Sequence, residues 1–260
     1  MASWVRFTHS SGVGFGTLDA DTVTIYDGDM FSDPVRTGAS VDLSELELLA
    51  PCEPTKMIGL WNNFHAAAEK NCWAIPEQPL YFFKPPSCFL APDRPIERPA
   101  SYEGRVIYEG ELGIVIGRRC VNVAASEAED HIFGYTCVND VTALGLLNED
   151  LSFAHWSRAK SFDTFGPFGP VIAAGLDAQG LEVRTFLNGR ERQNYPVSDM
   201  IFSPQELLTL LSRDMTLEPG DIISCGTSVG ALPMKPGATV EVSIDGIGVL
   251  RNEFVDAGGG

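Results

Sequence analysis

Arg105-Val-Ile-Tyr-Glu-Gly-Glu-Leu-Gly-Ile-Val-Ile-Gly117 is the stretch on which the fold turns. Its alternation predicts one long β-strand, with large apolar residues on both faces and therefore neighbours on both sides. Glu109 and Glu111 stand two apart and point the same way. If that face is buried, two like charges need a cation to stay ionised, and a hard divalent metal would serve. If the strand lies at an edge, they are two solvated carboxylates. Spacing alone leaves both readings open. Gly110 and Gly113 leave room for another backbone or a ligand.

Outward from this strand, β structure dominates. Trp4-Val-Arg-Phe7, residues 12–18 and Thr22-Val-Thr-Ile-Tyr26 read as short strands of a small β unit. Residues 41–49 read as a short acidic helix, with Pro51 and Pro54 marking a boundary. The expected organisation is a small N-terminal β domain over 1–53, a larger domain over 54–256 and a flexible tail over 257–260. In the larger part, Lys56-Met-Ile-Gly-Leu-Trp61 and Pro79-Leu-Tyr-Phe-Phe-Lys84 are strands. Between them Asn62 or Asn63 would cap a helix through 66–70. Ser126-Glu-Ala-Glu129 has the pattern of a capping box. Residues 132–140 and the segments 221–225, 239–244 and 248–252 are further strands, and 144–156 a loop and helix. Asn188-Gly189 predicts a hairpin turn. Ser203-Pro-Gln-Glu206 opens a helix over 204–212.

The bulk properties narrow the function. The chain has 260 residues, enough for a full core, and no apolar run of membrane-spanning length. Met1-Ala-Ser-Trp-Val-Arg-Phe7 lacks a basic region followed by an apolar core, so no signal peptide is expected. Six scattered cysteines without a Cys-x-x-Cys pair fit reduced thiols in a cytoplasmic protein. A net charge of -17 argues against nucleic acid and anionic membranes as partners, and an anionic substrate would need a local cation.

Several residues suggest chemistry. Asp140 ends a strand, and with Glu109 and Glu111 would give an all-oxygen set that selects Mg²⁺, Mn²⁺ or Ca²⁺ over Zn²⁺. On its own it is more commonly a strand-terminal turn residue. Lys160 lies in a Gly-, Pro- and aromatic-rich run, where it would offset carboxylates or stabilise an oxyanion; a solvated loop Lys is the alternative. His65 and Glu69 share a helix face at i,i+4 and form either a general-base pair or an exposed polar face. Gly226-Thr-Ser-Val-Gly230 matches the serine-hydrolase pattern G-x-S-x-G. No helix follows it, and all four His precede Ser228, so a Gly-rich loop lining a site is the better reading.

Taken in order, six blocks resemble the fumarylacetoacetate hydrolase family. They are Tyr108-Glu-Gly-Glu-Leu-Gly-Ile-Val-Ile-Gly117, Gly134-Tyr-Thr-Cys-Val-Asn-Asp-Val-Thr142, Ala159-Lys-Ser-Phe-Asp-Thr-Phe165 with Gly169-Pro170, Leu217-Glu-Pro-Gly-Asp-Ile-Ile223, Gly226-Thr227 and Gly246-Ile-Gly-Val-Leu250. The likeness covers residues 56–254, and residues 1–50 resemble the small β domain that precedes the core in many members. It implies a β-rich α+β fold: mixed sheets rolled into a barrel-like shape, few short helices, usually a homodimer. It implies Mg²⁺ or Mn²⁺ on Glu109, Glu111 and Asp140, Lys160 beside the metal, and Lys84, Thr164 and Thr227 among the substrate-binding residues. The implied activity is C–C bond hydrolysis of a 2-oxo acid or 1,3-diketone through a metal-chelated enolate. An isomerase, decarboxylase or tailoring enzyme on a more apolar enol is an alternative. A catalytically silent member that binds a metal and a ligand is another.

The sequence departs from the family in two places. Leu144 and Leu147 stand where many members carry Arg and Gln that contact substrate. Trp61-Asn62 replace an Asn-Tyr pair, and Glu69 follows His65 by four residues instead of three. The first departure predicts a monoanionic substrate with an apolar or aromatic tail, unless Arg158 in the adjacent loop restores an anion site.

Overall fold

The computed structural model describes residues 1–9 and 12–256; the expected tail, 257–260, lies outside them. The strand Gly110–Ile116 is buried at every position. It is flanked antiparallel by Ile132–Asn139 on one side and Ile222–Ser224 on the other. That settles the first question left open by the sequence: this is an interior strand of a mixed 12-stranded sheet. Beyond Ile222–Ser224 come Met57–Trp61, in parallel, and then Leu80–Lys84 at the edge. In the other direction Gly166–Ala174 follows Ile132–Asn139. Ala2–His9 pairs with Gly166–Ala174 through Ala2↔Ala174, so the N-terminal strands extend the same sheet. A five-stranded sheet, Arg190–Pro196, Glu182–Leu187, Ala238–Ile244, Gly248–Val255 and Ile96–Glu97, forms a second layer. Leu112, Ile114, Ile223 and Val242 lie in the main core with Leu207, Leu208 and Leu211. The fold is the β-rich, mixed-sheet class with short helices that the blocks imply.

The long strand is not continuous. Val106–Ile107 pairs with Thr142–Ala143 in a separate two-stranded ladder, and Tyr108-Glu109 interrupt it. The Asn139 side chain accepts from Glu109 N at 3.1 Å, and Asp140 N donates to Glu109 O at 2.9 Å. A side chain thus satisfies backbone that a ladder would otherwise use. Gly110 is required by close packing: a Cβ there would meet Thr185 Oγ1 of the second sheet at 2.0 Å.

Other expectations are corrected. Residues 41–49 are not a helix. Val35–Asp42 is a strand paired with Thr22–Asp27, followed by a 3₁₀ turn, Leu43–Glu45, capped by the Asp42 carboxylate, and the strand Glu47–Leu48. Ser126 caps nothing, because the 3₁₀ turn Ala128–His131 follows Glu127 without a side-chain cap. The helix α1, His65–Asn71, follows Phe64. Asn62 and Asn63 donate instead to Ala74 O and Cys225 O, and the Asp199 carboxylate accepts from Ala66 N. The helices α2, Trp156–Lys160, and α3, Pro204–Asp214, complete the set among the described residues, and α3 carries the expected capping box. The Asn188-Gly189 turn joins Glu182–Leu187 to Arg190–Pro196 with positive φ at both positions.

Buried Asp221 stitches the parallel seam. Its carboxylate accepts from Thr55 N, Lys56 N and Glu218 N and pairs with the Lys56 ammonium. All six cysteines are unpaired thiols. Among the described residues no helix is long and apolar enough to cross a membrane.

Candidate active site

Strand register assembles the carboxylates. Gly110 lies opposite Asn139, so in antiparallel geometry the next position back, Glu109, comes opposite Asp140. Glu111, two residues from Glu109, shares its face. Glu109, Glu111 and Asp140 each offer an oxygen within 4.8 Å of the other two.

Two lysines face them. The short helix α2 ends with Lys160, whose ammonium bonds Glu109 Oε2 and, at 2.5 Å, Asp140 Oδ2. Lys84 Nζ donates to Asp140 Oδ1 at 2.7 Å and to Lys160 O at 2.6 Å, tying the sheet edge to α2. Thr142 Oγ1 donates to Glu109 Oε2 at 2.8 Å. Ser224 Oγ and Gly226 N donate to Glu111 Oε2 at 2.5 and 2.8 Å, which leaves Oε1 as the oxygen open to a further partner.

The electrostatics follow from burial and charge. Burial pushes Glu111 well above the usual carboxylate range, and the charges of Asp140 and Glu109 push it further. Burial raises Glu109 too, against the opposing pull of Lys160. Burial would also raise Asp140, but Lys160 and Lys84 together hold it below its ordinary value. Burial opposes the Lys160 charge, yet Asp140 and Glu109 keep its ammonium protonated. With all three carboxylates ionised, as a bound cation would keep them, they outnumber the two ammoniums by one. An all-oxygen, net-negative, convergent set fits a hard divalent cation.

The carboxylates close one end of a cavity of about 480 Å³. Glu109, Glu111 and Lys160 reach its wall, while Asp140 lies behind them. Leu144, Leu147 and Thr227 also line it. Thr227 Oγ1 is already committed: it accepts from Gln193 Nε2 at 2.8 Å and donates to Gly110 O at 3.0 Å. Ser228 Oγ and Asn62 Oδ1, both in residues of the cavity wall, are buried and have no hydrogen-bond partner. Such groups are costly unless a ligand or water satisfies them. The G-x-S-x-G run is a loop after Ile222–Ser224, with Gly226 and Gly230 at positive φ.

Other expected site residues lie elsewhere. Lys84 is fully enclosed behind Asp140 and does not face the cavity. Arg158 is exposed, pairs with Glu149 and is not on the wall. Thr164 is off the wall, its hydroxyl accepting from Glu97 N at 2.9 Å. His65 and Glu69 are exposed. They share a face, as their spacing requires, but it is the outer one. Ala67, Lys70 and Asn71 turn toward the cavity, roughly opposite around the helix at about 100° per residue.

Sequence reasoning missed two features. One is the aromatic wall of Trp61, Trp73, Phe82 and Trp156, whose members are far apart in the chain. The other is Gln193, buried on a strand of the second sheet. Its Oε1 accepts from Gly110 N at 3.1 Å while its amide holds Thr227. No local pattern marks either.

Residues 56–255 match the family model described as fumarylacetoacetate (FAA) hydrolase, C-terminal, and residues 3–51 match the Rv2993c-like, N-terminal model. The oxaloacetate tautomerase YisK of Bacillus subtilis is 38% identical over 226 residues, 82% of this chain and 74% of that protein. The crystal structure of a 2-hydroxyhepta-2,4-diene-1,7-dioate isomerase from Mycobacterium marinum has a TM-score of 0.91 and 36% identity, covering 99% of this chain and 100% of that one. A maleylpyruvate hydrolase from Sphingobium sp. SYK-6, solved with manganese(II) and pyruvate, has a TM-score of 0.79 and 26% identity over 98% of this chain and 99% of that one.

Proposed function

The chain belongs to the fumarylacetoacetate hydrolase family, and from that premise we propose that it is a divalent-metal-dependent enzyme interconverting the keto and enol forms of a 2-oxo acid. The observation that carries the reading is Lys160, a buried protonated group beside Glu109 and Asp140 on a cavity wall that none of the four His joins. Mg²⁺ or Mn²⁺ held by Glu109, Glu111 and Asp140 would supply Lewis-acid stabilisation of negative charge on the substrate's oxygens. Ser228 Oγ, buried and without a partner, is suited to donate to the substrate carboxylate. In the enol-to-keto direction a proton leaves the enol oxygen and one is gained at C3. Lys160 Nζ holds a proton at the closed end and sets positive charge against the enolate. Glu111 and Lys160 are buried at the closed end, which limits the access of bulk water to the intermediate charge.

Hydrolytic C–C cleavage is the second reading, favoured by the likeness to maleylpyruvate hydrolase. It needs a base for water. His65 and Glu69 would serve only if α1 turned its outer face inward, against the Asp199 bond to Ala66 N and the Phe64↔Met200 bridge. Isomerisation and decarboxylation share the enolate and the same residues. The protein is further proposed to be a cytoplasmic homodimer; the exposed apolar Leu80, Tyr81 and Phe83 on the edge strand support an interface.

The deciding experiment follows loss of enol absorbance from freshly dissolved 2-oxo acids with Mn²⁺, with Mg²⁺ and with chelator, alongside pyruvate release from acylpyruvates. Metal-dependent enol loss without pyruvate release supports the tautomerase reading. Stoichiometric pyruvate release would replace it with hydrolysis. Metal-dependent thermal stabilisation without turnover of any substrate would leave a silent binding protein.

A further inference from the structure

Four aromatic rings run in mutual contact along the wall that leads away from the carboxylates. The Lys160 ammonium sits 4.8 Å from the centre of the Phe82 ring. Phe82 stacks on Trp156 at 5.4 Å with 12° between planes. Trp156 meets Trp61 at 5.8 Å, and Trp61 meets Trp73 at 4.9 Å. All four rings line the cavity, and Leu144 and Leu147 add apolar wall. Trp73 packs on Trp61 and still remains 39% exposed. An indole left partly open at a cavity is a surface that a ligand ring can cover.

Charge points the same way. Two of the lining residues are cations. Lys160 is held by Glu109 and Asp140, and Lys70 is exposed at the rim, where solvent screens its charge. Arg158 is paired with Glu149 outside the cavity. A second carboxylate on the substrate would therefore enter a passage walled by aromatic, Leu and neutral polar side chains with no buried cation to receive it, which is costly. A ring would exchange water for aromatic faces.

We infer that the substrate is a monoanionic 2-oxo acid with an aryl tail, its head at the carboxylates and its ring against Trp61, Trp73 and Trp156. This names the substrate class of the site proposed above and rests on that reading. The volume of about 480 Å³ accommodates such a molecule.

Binding and turnover are measured separately, so that the two readings fail differently. With Mn²⁺ present, tryptophan emission is titrated with phenylpyruvate, with 2-oxobutanoate and with oxaloacetate. Wild type should bind phenylpyruvate at least tenfold more tightly than the other two and show quenching. Trp73→Ala, with its folded state checked by circular dichroism, should cut that preference by about fivefold; Leu144→Arg should shift it toward oxaloacetate. Enol-loss kinetics with phenylpyruvate and oxaloacetate, whose enols are stabilised by conjugation, should give kcat/KM ratios in the same order. Equal or tighter binding of oxaloacetate by wild type would overturn the aryl assignment, and so would a preference that Trp73→Ala leaves intact. If Lys70→Ala abolishes a wild-type preference for oxaloacetate, the passage is an anion site and the inference is wrong. Aryl-selective binding with no metal-dependent turnover would instead sink the tautomerase reading and leave the tail site standing.

Discussion

The closed end of the cavity and its mouth are built from different material. At the closed end, Glu109, Glu111 and Asp140 sit on or beside strands whose neighbours fix their direction, and Lys84, Thr142 and Ser224 brace them. At the mouth, α1, α2 and the loops around Trp73 and Ala231 supply the wall, with fewer bonds holding each side chain. A rigid pole with fixed charges suits a step common to many substrates. A rim made of separate short segments can be altered without moving that pole. Substitutions in the rim should therefore leave the three carboxylates in place.

Substitutions can break or sharpen this contrast. The largest effect is expected from Asp140→Ala, which leaves the buried Lys84 and Lys160 ammoniums without their common partner. Removing one side of a buried pair typically costs about 3–5 kcal/mol. Denaturant unfolding should show a loss in that range; a loss below about 1 kcal/mol would mean the pole is not braced as described. Lys160→Met should lower kcat for enol loss roughly 10²–10³-fold while the protein stays folded. Unchanged kcat would remove Lys160 from the chemistry.

The rigid pole was legible in the chain because strand geometry is periodic. Two Glu two apart share a face, and one apolar-flanked strand end supplies Asp140. The break at Tyr108-Glu109 was not legible, since it depends on the Asn139 side chain from another strand. For α1, i,i+4 spacing correctly put His65 and Glu69 on one face, but spacing says nothing about which face packs inward. Burial of Ala67 and Ala68 decides that, and it is a tertiary fact. Residues 41–49 carried acidic, helix-compatible residues, yet Val41 pairs with Val23 and a hairpin wins. The aromatic wall joins positions 61, 73, 82 and 156, and nothing local connects them.

Two smaller effects sharpen the boundary. Gln193 clamps Gly110 N and Thr227 Oγ1 from the second sheet. Gln193→Ala should cost about 1–3 kcal/mol by leaving those buried groups unsatisfied. Gln193→Glu keeps the acceptor but loses the amide donor, so stability should recover only in part. A neutral Gln193→Ala would show that the strand holds its position without the clamp. His65→Ala, on the outer face of α1, should change stability by no more than the roughly ±0.5 kcal/mol typical of surface sites and leave kcat/KM essentially unchanged. A hundredfold loss would instead show that α1 turns inward during turnover and would restore the hydrolytic base.

The central claim is that three carboxylates on one strand register form a metal-binding pole. Calorimetric titration of Mn²⁺ into metal-free wild type, Glu111→Gln and Asp140→Asn tests it most directly. The account predicts one ion bound per chain in wild type, with affinity lowered at least tenfold, about 1.4 kcal/mol, in each variant. Unchanged affinity in folded Glu111→Gln and Asp140→Asn would contradict it.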